Sequence, residues 1–171
     1  MKKILFLLIL ITFNSNAQDF ALKINPISPF INGIEFSFES KSNSEAKSSV
    51  EFVASFLDYT DNKTKNNVKT WGAELRYKFL IDKITNGIKG TYIAPTGLLS
   101  SGKFNYERNI TIYGIGAVLG YQFVFQNVNQ NGFLIDLFGG FIYNSVSAYQ
   151  LNIENVEGFK PRIGVAIGYA F

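Results

Sequence analysis

Residues 162–171 read Arg-Ile-Gly-Val-Ala-Ile-Gly-Tyr-Ala-Phe. Ile163, Val165, Ile167, Tyr169 and Phe171 are large and apolar, whereas Arg162, Gly164, Ala166, Gly168 and Ala170 are small or charged. Successive side chains of a strand point to opposite faces, so this stretch is a strand with one greasy face and one face that needs little room. A core strand of a soluble sandwich alternates in the same way. The other segments of the chain decide between the two.

Alternation of the same period recurs upstream. Phe20–Ile27 sets Phe20, Leu22 and Ile24 against Lys23 and Asn25 before Pro26 and Pro29 interrupt it. Ile34, Phe36 and Phe38 alternate with Glu35, Ser37 and Glu39. Val50, Phe52, Ala54 and Phe56 oppose Glu51, Val53, Ser55 and Leu57. The cleanest case is residues 70–79, where Trp71, Ala73, Leu75, Tyr77 and Phe79 face away from Thr70, Gly72, Glu74, Arg76 and Lys78. Residues 91–99 alternate least and contain Pro95. Residues 111–125 form a long strand, with Tyr113, Ile115, Leu119, Tyr121, Phe123 and Phe125 opposite Gly114, Gly116, Val118, Gly120 and Gln122. A seventh strand sets Phe133, Ile135, Leu137, Phe141 and Tyr143 against Leu134, Asp136, Phe138 and Asn144. Residues 162–171 are the eighth. Between these strands, residues 58–69, 100–109 and 144–160 read as long polar loops and 41–48 and 126–132 as turns. Residues 80–89 read as a connection with room for a short helix, and 28–33 as a tight one.

The amino terminus has the layout of an export signal. Lys2 and Lys3 precede an apolar run from Ile4 to Phe13, followed by a polar exit with small residues at Ser15 and Ala17. Residues 1–17 are thus expected to be a leader cut after Ala17, leaving residues 18–171 as one domain. The run is too short to span a bilayer as a helix. Cutting removes two lysines and lowers the formal charge from +3 to +1. A near-neutral mature chain makes no electrostatic case for nucleic acid. The chain has 17 Phe, 9 Tyr and 15 Gly but only 17% charged residues. A greasy, exported chain with no apolar stretch long enough for a spanning helix has the closed barrel left as its way through a membrane.

The expected fold is therefore all-β: a transmembrane, up-and-down, antiparallel β-barrel of eight strands, an even number as such barrels require. With the apolar faces toward lipid, the inward set is Lys23, Glu35, Glu39, Glu51, Glu74, Arg76, Lys78, Asp136 and Arg162. Turning one of these lysines or arginines outward at the bilayer midplane would cost about 2–4 kcal/mol, which forces the facing. An eight-stranded barrel is just wide enough for side chains to fill it. These residues are expected to form a structural network of ion pairs, with the glycines of strands six and eight making room. The alternative use of the same charges is a narrow channel or a small-solute carrier.

No histidine and no cysteine is present. Ser-His-acid and Cys-His catalysis, thiolate or imidazole metal sites, disulfides and lipid attachment at cysteine are thereby excluded. Asp58 with Asp61 is a weak oxygen-ligand option, and the Gly-Ile-Gly at 114–116 is strand packing. No enzyme activity, cofactor or metal is expected. A soluble, lipocalin-like barrel is the third reading.

The stretches KINPISPFINGIEFSFES, GTYIAPTGLL, GAVLGYQFVFQN, FLIDLFGGFIY and RIGVAIGYAF, taken in this order, resemble small uncharacterised outer membrane β-barrel proteins of Gram-negative bacteria. The resemblance implies an exported outer membrane barrel without established catalytic residues. It also implies that Tyr169 and Phe171 serve as the closing-strand signal read by the barrel-assembly machinery. The expected partners are outer membrane lipids and that machinery, with an external partner at the three long loops left open.

Overall fold

The computed structural model describes residues 20–27, 33–42, 47–60, 66–82, 88–105, 108–126, 131–148 and 156–171. The leader expected at 1–17 lies outside them. Eight strands follow in chain order: β1 (Phe20–Ile27), β2 (Gly33–Lys41), β3 (Ser48–Thr60), β4 (Asn67–Leu80), β5 (Gly90–Phe104), β6 (Arg108–Gln126), β7 (Gly132–Ala148) and β8 (Gly158–Ala170). Each is antiparallel to its neighbours in sequence, and β8 closes on β1. The fold is the expected eight-stranded, up-and-down closed barrel.

Closure follows from the termini. Ala21 pairs with Ala170, Leu22 with Tyr169 and Ile24 with Ile167. The register then slips before Ile27 reaches Val165, and Pro26, which has no N–H to donate, lies within the slip. Phe171 N–H donates to the Phe20 carbonyl at 2.9 Å. This seam is short. The β6–β7 ladder, by contrast, runs unbroken from Ile110↔Ala148 to Gln126↔Gly132. Pro95 acts similarly on β5: the β4–β5 pairs stop at Arg76↔Thr96 and resume at Phe79↔Ile93, while Pro95 keeps its partner Ala117 on β6. A proline lacks one donor, so it loses one side only.

The strands overrun three of the expected loops. Residues 58–60 and 67–69, 100–104 and 108–109, and 144–148 and 158–160 belong to strands β3 to β8. What changes there is polarity. Val68, Phe104, Ile110 and Ile112 turn inward and pack with Leu57, Val146 and Val156. Lys69, Lys103, Asn109 and Ser147 turn outward. The period of two continues with its sign reversed. At the other end, the connection after β4 contributes Ile88, fully buried with Ala21, Val124, Leu134 and Ala170. Residues 81, 82, 88 and 89 are not helical, and 83–87 lie outside the described residues. Among the described residues, apolar side chains thus fill the inside of the barrel near both ends.

Candidate functional site

Between these two plugs, the inside of the barrel is charged. All nine inward residues expected from the alternation are buried: Lys23, Glu35, Glu39, Glu51, Glu74, Arg76, Lys78, Asp136 and Arg162. Lys41, expected in a turn, ends β2 and is buried as well. Among the described residues, the buried charged set is then five bases (Lys23, Lys41, Arg76, Lys78, Arg162) and five acids (Glu35, Glu39, Glu51, Glu74, Asp136). Burying a charge in a low-dielectric interior is tolerable only when its partners are close and numerous, and the nine expected residues make close ion pairs with one another.

The network has two halves. Toward the chain termini, Lys23 Nζ lies 2.7 Å from Glu39, 2.7 Å from Glu51 and 2.9 Å from Asp136. Lys78 Nζ reaches the same three carboxylates at 3.0, 3.0 and 2.9 Å. Register explains the crowding, since Glu39 and Glu51 are direct cross-strand partners. Two like charges placed opposite one another repel, and the two ammonium groups between them supply the compensation. In the other half, Arg162 Nη2 donates to Glu35 at 2.5 Å and Glu74 at 2.6 Å. Arg76 Nε donates to Glu74 at 2.6 Å, and its Nη1 reaches Glu51 at 3.5 Å, which joins the halves.

Neutral groups complete the set. Tyr92 Oη donates to Asp136 at 2.8 Å, Thr96 Oγ1 to Glu74 at 2.7 Å and Asn25 Nδ2 to Glu35 at 3.0 Å. Ser49 Oγ and Gln122 Nε2 donate to Glu39 at 2.5 and 3.0 Å. The Arg76 guanidinium lies 4.4 Å from the Phe138 ring centroid and Lys78 Nζ 4.2 Å from that of Tyr92. Glycines do make the room. A Cβ on Gly120 would fall 2.4 Å from the Tyr92 ring, and one on Gly164 would fall against the Phe138 ring. Alternation already set Asn25 and Gln122 on the inward face, whereas Tyr92 and Thr96 lie on the strand that alternates least, and only the register makes them part of the lumen.

Carboxylate oxygens of Glu39, Glu51 and Asp136 come within 4.8 Å of one another, a spacing that suits a cation. Lys23 and Lys78 already place their ammonium groups among them and Arg76 Nη1 reaches Glu51, so three cations face the three carboxylates. Asp58 accepts from Asn67 Nδ2 at 2.9 Å and pairs with Lys69 at 3.4 Å. Asp61, the other residue of that weak option, lies outside the described residues. Glu35 is paired with Arg162, and Glu39 with Lys23 and Lys78.

The outer wall is the inverse of the lumen. Trp71 is 70% exposed, Ile115 71%, Phe141 66% and Phe159 76%. Aromatic pairs mark two levels. Phe56 with Trp71 (4.6 Å) and Tyr143 with Phe159 (5.1 Å) lie toward the β3–β4 and β7–β8 connections. Tyr77 with Phe79 (4.7 Å), Tyr121 with Phe123 (4.4 Å) and Tyr169 with Phe171 (5.1 Å) lie toward the termini. Between Phe159 and Tyr169 the outward residues are Pro161, Ile163, Val165 and Ile167. Ten residues at about 3.3 Å each, on strands tilted by about 40°, span about 25 Å along the barrel axis. Tyr169 and Phe171 are therefore members of the lower aromatic level and also end the closing strand.

No curated protein and no solved structure matches the chain. Residues 3–162 match the family described as "Protein of unknown function (DUF3575)", and the eight-stranded barrel with its charged, plugged lumen is thus a member of that family.

Proposed function

We propose that the protein is an integral outer membrane β-barrel, exported by a cleavable leader, whose lumen is a solid core. Its role is structural, or is recognition of an external partner through the hairpins β3–β4, β5–β6 and β7–β8. No chemistry is assigned to it. The observation that carries the reading is the doubly inverted polarity of the wall. Large apolar residues face outward over about 25 Å, the height of the apolar band on barrels of this kind, and polar residues take over beyond it. Water-soluble monomers rarely expose apolar patches beyond a few hundred Å².

The test is partition. Mature protein expressed in a bacterium with an outer membrane is expected to stay in that membrane through an alkaline carbonate wash. Detergent-free solubility of the folded chain would choose the lipocalin-like reading instead. The charge-balanced interior and the plugs around Ile88 and Ile110 support a closed lumen over a channel. Planar-bilayer recording is expected to show no conductance steps, and regular steps would select the channel.

A further inference from the structure

The outward face of β4 and β5 carries a pairing that the fold alone does not need. Lys69 and Lys103 are direct cross-strand partners, and both are exposed. Like charges in that position repel. Lys69 has Asp58 on its other flank, at 3.4 Å, and its ammonium lies 5.4 Å from the Phe56 ring centroid. Asp58 is held below the usual carboxylate range by the hydrogen bond from Asn67, with Lys69 adding to it, so it stays charged at neutral pH. Lys103 makes no ion pair among the described residues. The row Asp58–Lys69–Lys103 thus carries one net positive charge.

Its height on the barrel is specific. Lys69 and Lys103 lie one outward step beyond Trp71 and Ser101, which are themselves partners, and so stand just past the upper aromatic level. At that level β6 offers Asn109 and Thr111 outward and β7 offers Ser145 and Ser147, all neutral. Among the outward-facing described residues of β4 to β7 at this level, the positive charge lies in the β4–β5 sector, above an apolar surface formed by Phe56, Trp71 and Leu99. An amphiphile with an anionic head and an apolar tail matches both parts.

We propose that Lys69 and Lys103 clamp the phosphate of an anionic lipid in the leaflet at the hairpin end of the barrel, with Trp71 and Phe56 against the upper part of its acyl chain. This rests on the membrane location proposed above. Lysine is a phosphate binder as a flexible point charge, and two cross-strand lysines converge on one phosphate without backbone movement.

Trp71 is the chain's single tryptophan, and it touches the site. The barrel is refolded into vesicles of a zwitterionic phosphocholine lipid mixed with phosphatidylglycerol, one or the other carrying brominated chains. Bromine quenches only a tryptophan that it contacts, so the two series give the relative affinity of the lipids at Trp71. One net charge near a surface corresponds to a preference of about fivefold for the anionic lipid, falling as salt rises. The Lys69→Gln/Lys103→Gln variant is expected to bring the ratio close to one, while Lys89→Gln, at the opposite end, leaves it unchanged. Unaltered quenching by the brominated zwitterionic lipid shows that the variant is folded and inserted. Equal quenching by both lipids in the unsubstituted protein overturns the clamp and leaves the membrane location standing. Quenching by neither overturns the location itself. Loss of the preference on adding millimolar inorganic phosphate at constant ionic strength would assign the site to the free anion and overturn the lipid assignment.

Discussion

Arg76 has two carboxylates within reach and an aromatic ring beneath it, and little of this was visible before the barrel was closed. Its cross-strand partner Glu51 and its near neighbour Glu74 both depend on it. Arg76→Leu leaves two buried carboxylates short of a cation and is expected to cost about 3–5 kcal/mol, measured by urea unfolding in lipid vesicles. An outward arginine would give the opposite sign, since lipid favours leucine, and unchanged or raised stability would overturn the facing of β4. Gly120→Ala tests the packing side of the same interior. The new methyl group meets Tyr92, so a loss of about 1–3 kcal/mol is expected, with part of it recovered in the Gly120→Ala/Tyr92→Leu double variant. At this scale charged residues were legible because they alternate with large apolar residues along each strand. Lys41 was missed because a lysine at the end of a short strand, next to Ser42 and Asn43, reads as a turn.

The strands were legible where their apolar residues face outward and illegible where that facing reverses. Lys69, Lys103 and Asn109 made their segments look like solvated loops. Val68, Phe104 and Ile110, which alternate with them, form the plug inside. A period-2 pattern whose apolar partner is sparse is easily taken for polarity without period. The correction makes a prediction: Phe104→Ser should cost about 2–4 kcal/mol in the same unfolding assay, whereas Lys103→Ser should change stability by less than about 0.5 kcal/mol. Two neutral results would restore the loop. β8 carries the heaviest demand of any element, because it closes the ring. Deleting Tyr169–Phe171 removes the pairs to Leu22 and Phe133 and those of Ala170 to Ala21 and Gly132, and it opens both ladders at one end. An unpaired edge is not tolerated in lipid. Cell fractionation is expected to show that variant degraded or periplasmic, with Phe171→Asp nearly as impaired and Phe171→Tyr mild. Normal outer membrane levels of the deletion would remove β8 from its closing role.

For the molecule as a whole, strand number, order and closure followed from alternation and an even count, because a closed barrel is the one sheet whose every backbone group is satisfied without water. The interior pairings did not follow, since Lys23 meets Asp136 across 113 residues and no local pattern carries such a distance. The hydrogen bond from Phe171 to Phe20 has a further consequence. It brings residues 20 and 171 side by side, so that the barrel is nearly a closed circuit of chain. Joining residue 171 to residue 20 through a few glycines and opening the chain between β4 and β5 would give a permutant with all eight ladders but one interrupted connection. Such a permutant is expected to refold into vesicles with the urea midpoint of the parent to within the loss of that connection. In cells it should stall, because RIGVAIGYAF would then lie mid-chain, away from the carboxy terminus. Refolding in vitro with failed assembly in vivo would separate two properties that coincide in β8: completing the wall, and carrying the closing-strand signal.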